Sequence, residues 1–265
     1  MSRTYLERFE AYQNGLGHTR ETRKLRRNYA QRFLADHDLA TVRLSGIVEF
    51  MGNPAWGPQT RASARASLML LFKWAKAEGI RDDNPMDDIP RIRVFQAPPR
   101  PTPESVLASA LERVEDPRTR LVLLLGAFAG LRRAEIARLH SDAIQENGTL
   151  RVLGKGGKTR IVPIHPLLVE PLAEAKARGG WLYPSPLRDG PCDPVLINRL
   201  LRKVMPRGFS THTLRHRFAT QVHQGSKDLR AVQTLLGHSS LATTQRYVGV
   251  SDEDLVDAVR TLGDL

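Results

Sequence analysis

Apolar residues recur at helical spacing through the first third of the chain. Stretches 4–14, 20–36, 43–52 and 59–78 each carry an apolar stripe with a period near 3.6 residues, which predicts four amphipathic helices. The residues expected to face a core are Leu25, Tyr29, Phe33 and Leu34 in the second stretch, Leu44, Ile47, Val48 and Met51 in the third, and Leu68, Leu70, Leu71, Phe72 and Trp74 in the fourth. Basic residues share the polar faces of these helices, where they either contact an anionic partner or simply keep the face solvated.

The remainder of the chain mixes helical and alternating patterns. Helices are predicted over about 104–115, 118–129, 133–140, 166–177, 193–204, 211–223, 227–236, 240–247 and 251–262. Thr149–Leu153 and Arg160–Ile164 are typical of short strands, and the glycine-rich loop from Gly154 to Lys158 joins them as a hairpin. The pattern therefore predicts a mainly α fold with one small antiparallel β-sheet.

A proline-rich segment separates the two parts. Four prolines fall within residues 95–103, which cannot continue a helix and favour an extended connector. The sequence therefore predicts an N-terminal helical domain over 1–94, a linker over 95–103 and a second domain over 104–265.

Composition narrows the classes of protein. The 265 residues include 40 Lys and Arg against 28 Asp and Glu, a net charge of +12 that favours a polyanionic partner such as nucleic acid. The single cysteine, Cys192, excludes an intramolecular disulfide framework and a multi-cysteine zinc site. The longest apolar run, Leu121 to Leu131, is far short of the roughly 20 residues that a bilayer requires, so neither a membrane span nor a membrane partner is expected.

Candidate chemistry lies mainly in the last third. His212, Arg215 and His216 stand at i, i+3 and i+4, which places them on one helical face. Gly237 suits a helix end and His238 follows it, with Tyr247 nine residues further on. Taken singly, each has an ordinary structural explanation: a histidine as a cap or core group, a tyrosine as a packing residue, a glycine-rich hairpin as a turn.

Other kinds of site fit poorly. A zinc helix of the HExxH type needs Glu where Thr213 stands, and Arg215 between the histidines would oppose a dication. A Walker loop needs a glycine where Val152 stands. Cys192 has no base near it in sequence, which disfavours a cysteine nucleophile. No metal or other cofactor is expected.

Taken in order, these motifs are more specific than any one of them. The chain reads Gly-Leu-Arg-x-x-Glu from Gly130, Gly-Lys-Gly-x-Lys-x-Arg-x-Val-Pro from Gly154, His-x-Leu-Arg-His from His212, and Leu-Gly-His from Leu236 with Tyr247 beyond it. This set resembles the tyrosine recombinase family, which includes phage integrases and Xer-type recombinases. The resemblance implies a helical core-binding domain followed by a mixed α/β catalytic domain.

The resemblance also implies a role for each residue. Tyr247 would attack a DNA phosphodiester, leaving a 3′-phosphotyrosine and a free 5′-hydroxyl without metal or ATP, with His212 as its base or orienter. Arg132, Arg215 and His238 would stabilise the charge on the non-bridging oxygens. Lys155 would protonate the leaving oxygen, with Lys158 as its competitor. Glu135 would orient Arg132 or a neighbouring histidine, and His216 would play a similar supporting part.

Partners follow from the same resemblance. Double-stranded DNA carrying a recombination site is the expected substrate, held by two basic domains. Residues 251–265 are predicted to form an acidic helix with an apolar stripe, which is expected to exchange between subunits of a DNA-bound tetramer or else to pack on its own domain. An accessory directionality factor is a further possible partner, and the expected location is the cytoplasm of a bacterium, on the nucleoid or in the host of a phage.

Two other functions compete with recombination. One is a non-enzymatic DNA-binding regulator with the same fold, and the other is a metal-dependent nuclease that uses the histidine pair. A regulator has no use for the full set of Arg132, Lys155, His212, Arg215, His238 and Tyr247, and a nuclease would be sensitive to chelators.

Overall fold

A computed structural model describes residues 2–95, 100–154 and 157–237 of the chain. The chain divides into two compact units, Met1–Ala97 and Pro98–Leu265. The DNA-binding and catalytic roles that the sequence analysis gives to the two parts remain predictions.

The first unit is built from four helices, α1 (Ser2–Gly15), α2 (Arg20–Asp36), α3 (Leu44–Met51) and α4 (Pro58–Ala77). The hydroxyl of Thr19 accepts a hydrogen bond from the Thr22 amide at 3.3 Å and so caps the start of α2. Pro58 supplies the fixed φ that suits the first turn of α4. The helices enclose a core of large side chains that includes Phe9, Phe33, Leu68, Phe72 and Trp74.

The predicted apolar faces of α2 and α3 are partly wrong. Leu25 is 48% exposed, because the buried face of α2 is formed by residues further along the helix, from Tyr29 to Leu34. On α3, Ile47 and Met51 are buried, whereas Leu44 and Val48 are 39% and 55% exposed. α3 therefore buries one row of apolar side chains, although its sequence offers two.

The second unit is a helical body around α6 (Pro117–Phe128). Every residue from Leu121 to Ala127 in this helix is buried, which confirms it as a core helix. The other helices are α5 (Glu104–Arg113), α7 (Arg133–Ala137), α8 (Pro166–Arg178), α9 (Pro194–Leu201), α10 (Thr211–Ser226) and α11 (Leu229–Leu236), with a short 3₁₀ turn at Ser141–Ala143. Gly126 brings α6 close to α10, since a Cβ there would lie 2.9 Å from Leu214 Cδ1.

A two-stranded antiparallel sheet, β1 (Thr149–Leu153) and β2 (Thr159–Pro163), lies against this body. Leu150 pairs with Val162 and Val152 pairs with Arg160, and all four side chains are buried. The mainly α fold with a small antiparallel sheet is therefore confirmed. The helices predicted at 240–247 and 251–262 lie outside the described residues, and none of the described helices is long and apolar enough to cross a membrane.

Candidate active site

A tight turn at Gly130 brings the first arginine into place. Gly130 has a φ of +62°, and a Cβ at this position would lie 2.4 Å from Phe218 Cδ1. Both the backbone conformation and the packing therefore require glycine. The chain then enters α7 with Arg132 as the residue that precedes its first turn.

The start of α10 sets the positions of the two histidines and the second arginine. The Ser210 hydroxyl accepts a hydrogen bond from the His212 amide at 3.2 Å, and the Thr213 hydroxyl accepts one from the Ser210 amide at 2.9 Å. This reciprocal cap fixes the first turn of the helix. Arg215 and His216 then point into the protein and are buried, whereas His212 is exposed.

Glu135 is the centre of the charged cluster. Its side chain is 5% exposed and accepts hydrogen bonds from the Arg132 amide and from Arg132 Nη1, both at 2.8 Å. Arg160 donates to both carboxylate oxygens, from Nη1 at 2.9 Å and from Nη2 at 2.8 Å. The third guanidinium belongs to Arg215, whose Nη1 lies 3.8 Å from Glu135 Oε2. One buried carboxylate thus forms ion pairs with three arginines, two of which also donate hydrogen bonds to it.

Backbone carbonyls fix the orientation of Arg215. Its Nη1 donates to the Gly130 carbonyl at 2.5 Å and its Nη2 donates to the Leu236 carbonyl at 2.6 Å. The two glycine-containing motifs, at Gly130 and at Gly237, therefore meet on one guanidinium. Gly237 itself has a φ of +64°, and a Cβ there would lie 2.9 Å from Arg160 Cδ.

A cavity of about 360 Å³ opens beside this cluster. Arg132, Arg215 and His212 line it together with the start of α10, and Arg133 and Asn198 complete its wall. None of its described lining residues is acidic. The cavity is thus a concave cationic site of the kind that holds an anion.

The charges in the cluster shift the pKa values of its titratable groups. Burial alone would raise the pKa of Glu135, but the hydrogen bonds and charge of Arg160, with smaller contributions from Arg132 and Arg215, lower it below its ordinary value. Burial, together with Arg215 and Arg132, lowers the pKa of His212. The pKa of His216 falls to about 4, through burial and the neighbouring His212 and Arg215.

The two histidines form a contacting pair. Their Nε2 atoms lie 3.0 Å apart, so one ring donates to the other, and the facing nitrogens share a single proton. Lowered pKa values keep both rings neutral at pH 7. His212 is therefore in the protonation state that a general base requires.

The structure brings together five of the residues that the sequence indicates, Arg132, Glu135, His212, Arg215 and His216. Lys155, His238, Tyr247 and the 251–265 segment lie outside the described residues. Lys158 is described and exposed. Cys192 is buried, and burial raises the pKa of its thiol, which does not favour a nucleophile. Within 2–95, 100–154 and 157–237, no group of three or more metal-ligating side chains is found.

Sequence reasoning included Arg160 in the motif that begins at Gly154 but gave it no role. Besides its two bonds to Glu135, its Nε donates to the Leu235 carbonyl at 2.8 Å, so it connects β2 to both α7 and the end of α11. The signal was present, because strand alternation places Arg160 on the same inward face as Val162. A charged residue at an inward position requires a buried partner.

Comparison with known proteins agrees with this geometry. The sequence model of the phage integrase family matches residues 104–254. Tyrosine recombinase XerD of Caulobacter vibrioides is 30% identical over 249 residues, covering 85% of this chain and 82% of that protein. Tyrosine recombinase XerC of Mesorhizobium japonicum is 33% identical over 244 residues, covering 83% and 78%. A solved lambda integrase dimer bound to a COC′ core site shares the fold, with a TM-score of 0.74 over 93% of this chain and 77% of that one, at 21% identity.

The chain belongs to the phage integrase family of tyrosine recombinases. It is a site-specific DNA recombinase, an enzyme that cuts and rejoins DNA strands through the covalent protein–DNA intermediate characteristic of this family.

Proposed function

We propose that this recombinase uses Tyr247 to cut duplex DNA, forming a 3′-phosphotyrosine and releasing a 5′-hydroxyl. The observation that carries the proposal is the cationic cavity in which Arg132, Arg215 and His212 meet. A phosphodiester is an anion that repels nucleophiles, and its attack builds further charge on the non-bridging oxygens. Two guanidinium groups held at that position stabilise this charge without having to reorganise during the reaction.

Glu135 and Arg160 act on the reaction through Arg132 and Arg215, two of the arginines that line the cavity. Glu135 bonds both the backbone and the side chain of Arg132 and is itself held by two hydrogen bonds from Arg160. Bonds to backbone carbonyls fix the plane of Arg215. Held in this way, the arginines are preorganised for the transition state and lose little side-chain entropy on binding the phosphate.

The remaining tyrosines support Tyr247 as the nucleophile. Tyr183 is the other tyrosine of residues 98–265; it is completely buried and donates a hydrogen bond to the Arg118 carbonyl at 3.0 Å. Burial also raises the pKa of its phenol. Tyr5, Tyr12 and Tyr29 belong to the first unit. Tyr183 therefore cannot present its oxygen to DNA without unfolding its surroundings.

The proton transfers complete the reaction. A phenol with a pKa of about 10 is ionised to roughly one part in a thousand at pH 7, so Tyr247 needs a base, which we assign to His212. Lys155 would protonate the leaving 5′-oxygen, with Lys158 as the alternative on the same hairpin. His238 would add one hydrogen bond to the phosphate. These cations supply the charge stabilisation, and the reaction is proposed to need neither metal nor ATP.

The proposed partners are a double-stranded recombination site and further copies of the chain. The acidic, apolar-striped segment 251–265 suits docking on a second subunit of a basic protein, within a DNA-bound tetramer. An accessory directionality factor would act on that assembly. The proposed setting is the nucleoid of a bacterial cell.

A trapping assay tests this function. Sequencing of covalently trapped DNA ends in cells gives the site, and a nicked duplex carrying that site should then accumulate a covalent adduct in the presence of EDTA. Tyr247→Phe should bind the duplex and form no adduct, while the matched control Tyr12→Phe should form it normally. Adduct formation by Tyr247→Phe at the wild-type level, or loss of the reaction in EDTA, would overturn the proposal.

A further inference from the structure

A second cavity adjoins the catalytic one and is not used by the reaction as described. It measures about 580 Å³ and is formed where the chain runs from the end of α9 to the start of α10. Asn198 and Ser210 line both cavities, so the two lie next to each other. The second cavity therefore extends the active site along the surface of the second unit.

The lining of this second cavity is cationic. Arg202, the first residue after α9, and Arg207, in the following loop, both line it and are both exposed. Neither forms an ion pair with a carboxylate among the described residues. With Arg132, Arg133 and Arg215, the two neighbouring cavities present five arginines and no Asp or Glu among their described lining residues.

The junction between the cavities adds to this field. Ser210 caps α10, and the positive end of a 16-residue helix dipole is directed at the junction. The guanidinium of Arg100 lies over the ring of the neighbouring Phe209, 5.9 Å from the ring centroid. Two adjacent cavities lined by arginines, with no carboxylate among their lining residues, suit a polyanion that extends beyond the reacting phosphate.

We propose that Arg202 and Arg207 bind backbone phosphates of the same DNA next to the phosphate that is cut. This inference rests on the proposed function, because it takes the first cavity as the position of the reacting phosphate. Contacts to the backbone carry no sequence information, but they fix the position of the duplex. The two arginines would thus align the DNA strand so that the reacting phosphate enters the catalytic cavity.

Salt dependence of DNA binding tests the proposal. Binding of a mixed-sequence duplex to the full-length Tyr247→Phe protein is measured by fluorescence anisotropy over a series of salt concentrations. Arg202→Gln and Arg207→Gln should each make the slope of log K against log salt shallower by about 0.9. For the double variant, the ratio of its dissociation constant to that of its parent should shrink roughly 12-fold between 50 and 200 mM salt, since two contacts are lost.

Two controls make the result decisive. Arg188→Gln removes another exposed arginine, one that lines neither cavity, and should leave the slope unchanged. Arg202→Lys keeps the charge and should keep the slope, which a folding defect would not. The proposal is overturned if Arg202→Gln and Arg207→Gln behave as Arg188→Gln does, or if Arg202→Lys loses the slope as well. Absence of a covalent adduct with the Tyr247 protein would instead overturn the proposed function and leave these slopes unaffected.

Discussion

Substitution of Glu135 by Gln tests whether one carboxylate holds the arginine cluster together. The side chains of Glu135, Arg160 and Arg215 are 5%, 7% and 1% exposed, so the variant leaves buried guanidinium charge without its counterion. Removing one partner of a buried ion pair costs about 3–5 kcal/mol. For a protein of this size, that loss corresponds to a fall in Tm of roughly 6–20 °C.

The sign of the pH dependence provides a second check on the same variant. The pKa of Glu135 is lowered in the folded state, so its stabilisation is complete above the unfolded pKa, near 4.5, and is lost as pH falls through the folded value. The difference in stability between wild type and Glu135→Gln should therefore be largest near pH 7 and should narrow below about pH 4.5.

Calorimetry across a pH series measures both effects. Glu104→Gln is the matched control, because Glu104 also pairs with an arginine, Arg217, but its side chain is 63% exposed. Although the Arg217 side chain is only 11% exposed, water screens the exposed carboxylate, so the loss of this pair should cost less than the loss of Glu135. If Glu135→Gln lost no more stability than Glu104→Gln, or if the difference did not narrow in acid, the proposed role of the carboxylate would be refuted.

Three further predictions concern the same region. Gly130→Ala should lower the free energy of unfolding by about 2–4 kcal/mol in chemical denaturation, because alanine is strained in the left-handed conformation and its Cβ would overlap Phe218. Gly148→Ala should cost less, because Gly148 also has a positive φ, of +73°, but no atom lies within 4 Å of its Cβ position. Equal losses would contradict the packing argument. The free energy of unfolding of the wild type should fall by up to about 3 kcal/mol between pH 6.5 and 4, because His216 takes up a proton in the unfolded chain at a higher pH than in the folded one. His216→Asn should reduce this dependence on pH, whereas His223→Asn should not. An unchanged dependence in His216→Asn would contradict the lowered pKa of His216. Arg160→Lys cannot donate hydrogen bonds to both carboxylate oxygens of Glu135 and should lower the free energy of unfolding by about 1–3 kcal/mol. Arg151→Lys, on the exposed face of β1, should leave it unchanged. Similar losses for the two variants would contradict a structural role for the buried Arg160 guanidinium.

Periodicity and capping predict much of the second unit. The helix expected at 211–223 is observed as Thr211–Ser226, and the hairpin strands agree within one residue, because local signals such as Ser210, Gly237 and the glycine-rich loop determine them. Which face of a helix is covered depends on neighbours that are distant in sequence. Leu44 and Val48 therefore looked like core residues and are exposed.

In the candidate site, too, local features could be predicted from the sequence and contacts between distant segments could not. Spacing alone predicts that Arg215 and His216 share a helix face with His212, and the structure shows the two histidines in contact. Sequence spacing could not predict the hydrogen bonds between distant segments. Arg160 and Glu135 are 25 residues apart, and Arg215 donates to the carbonyl of Gly130, which is 85 residues away. Such contacts depend on how α6, α7 and α10 pack, which the apolar pattern does not specify.

The central claim is that a phenolic oxygen becomes esterified to DNA, and peptide mapping of the trapped adduct measures this directly. After nuclease and trypsin digestion, mass spectrometry should find a nucleotide on the peptide Tyr247–Arg260, attached through the 3′-phosphate to Tyr247. Attachment at any other residue, or through a 5′-phosphate, would contradict the account.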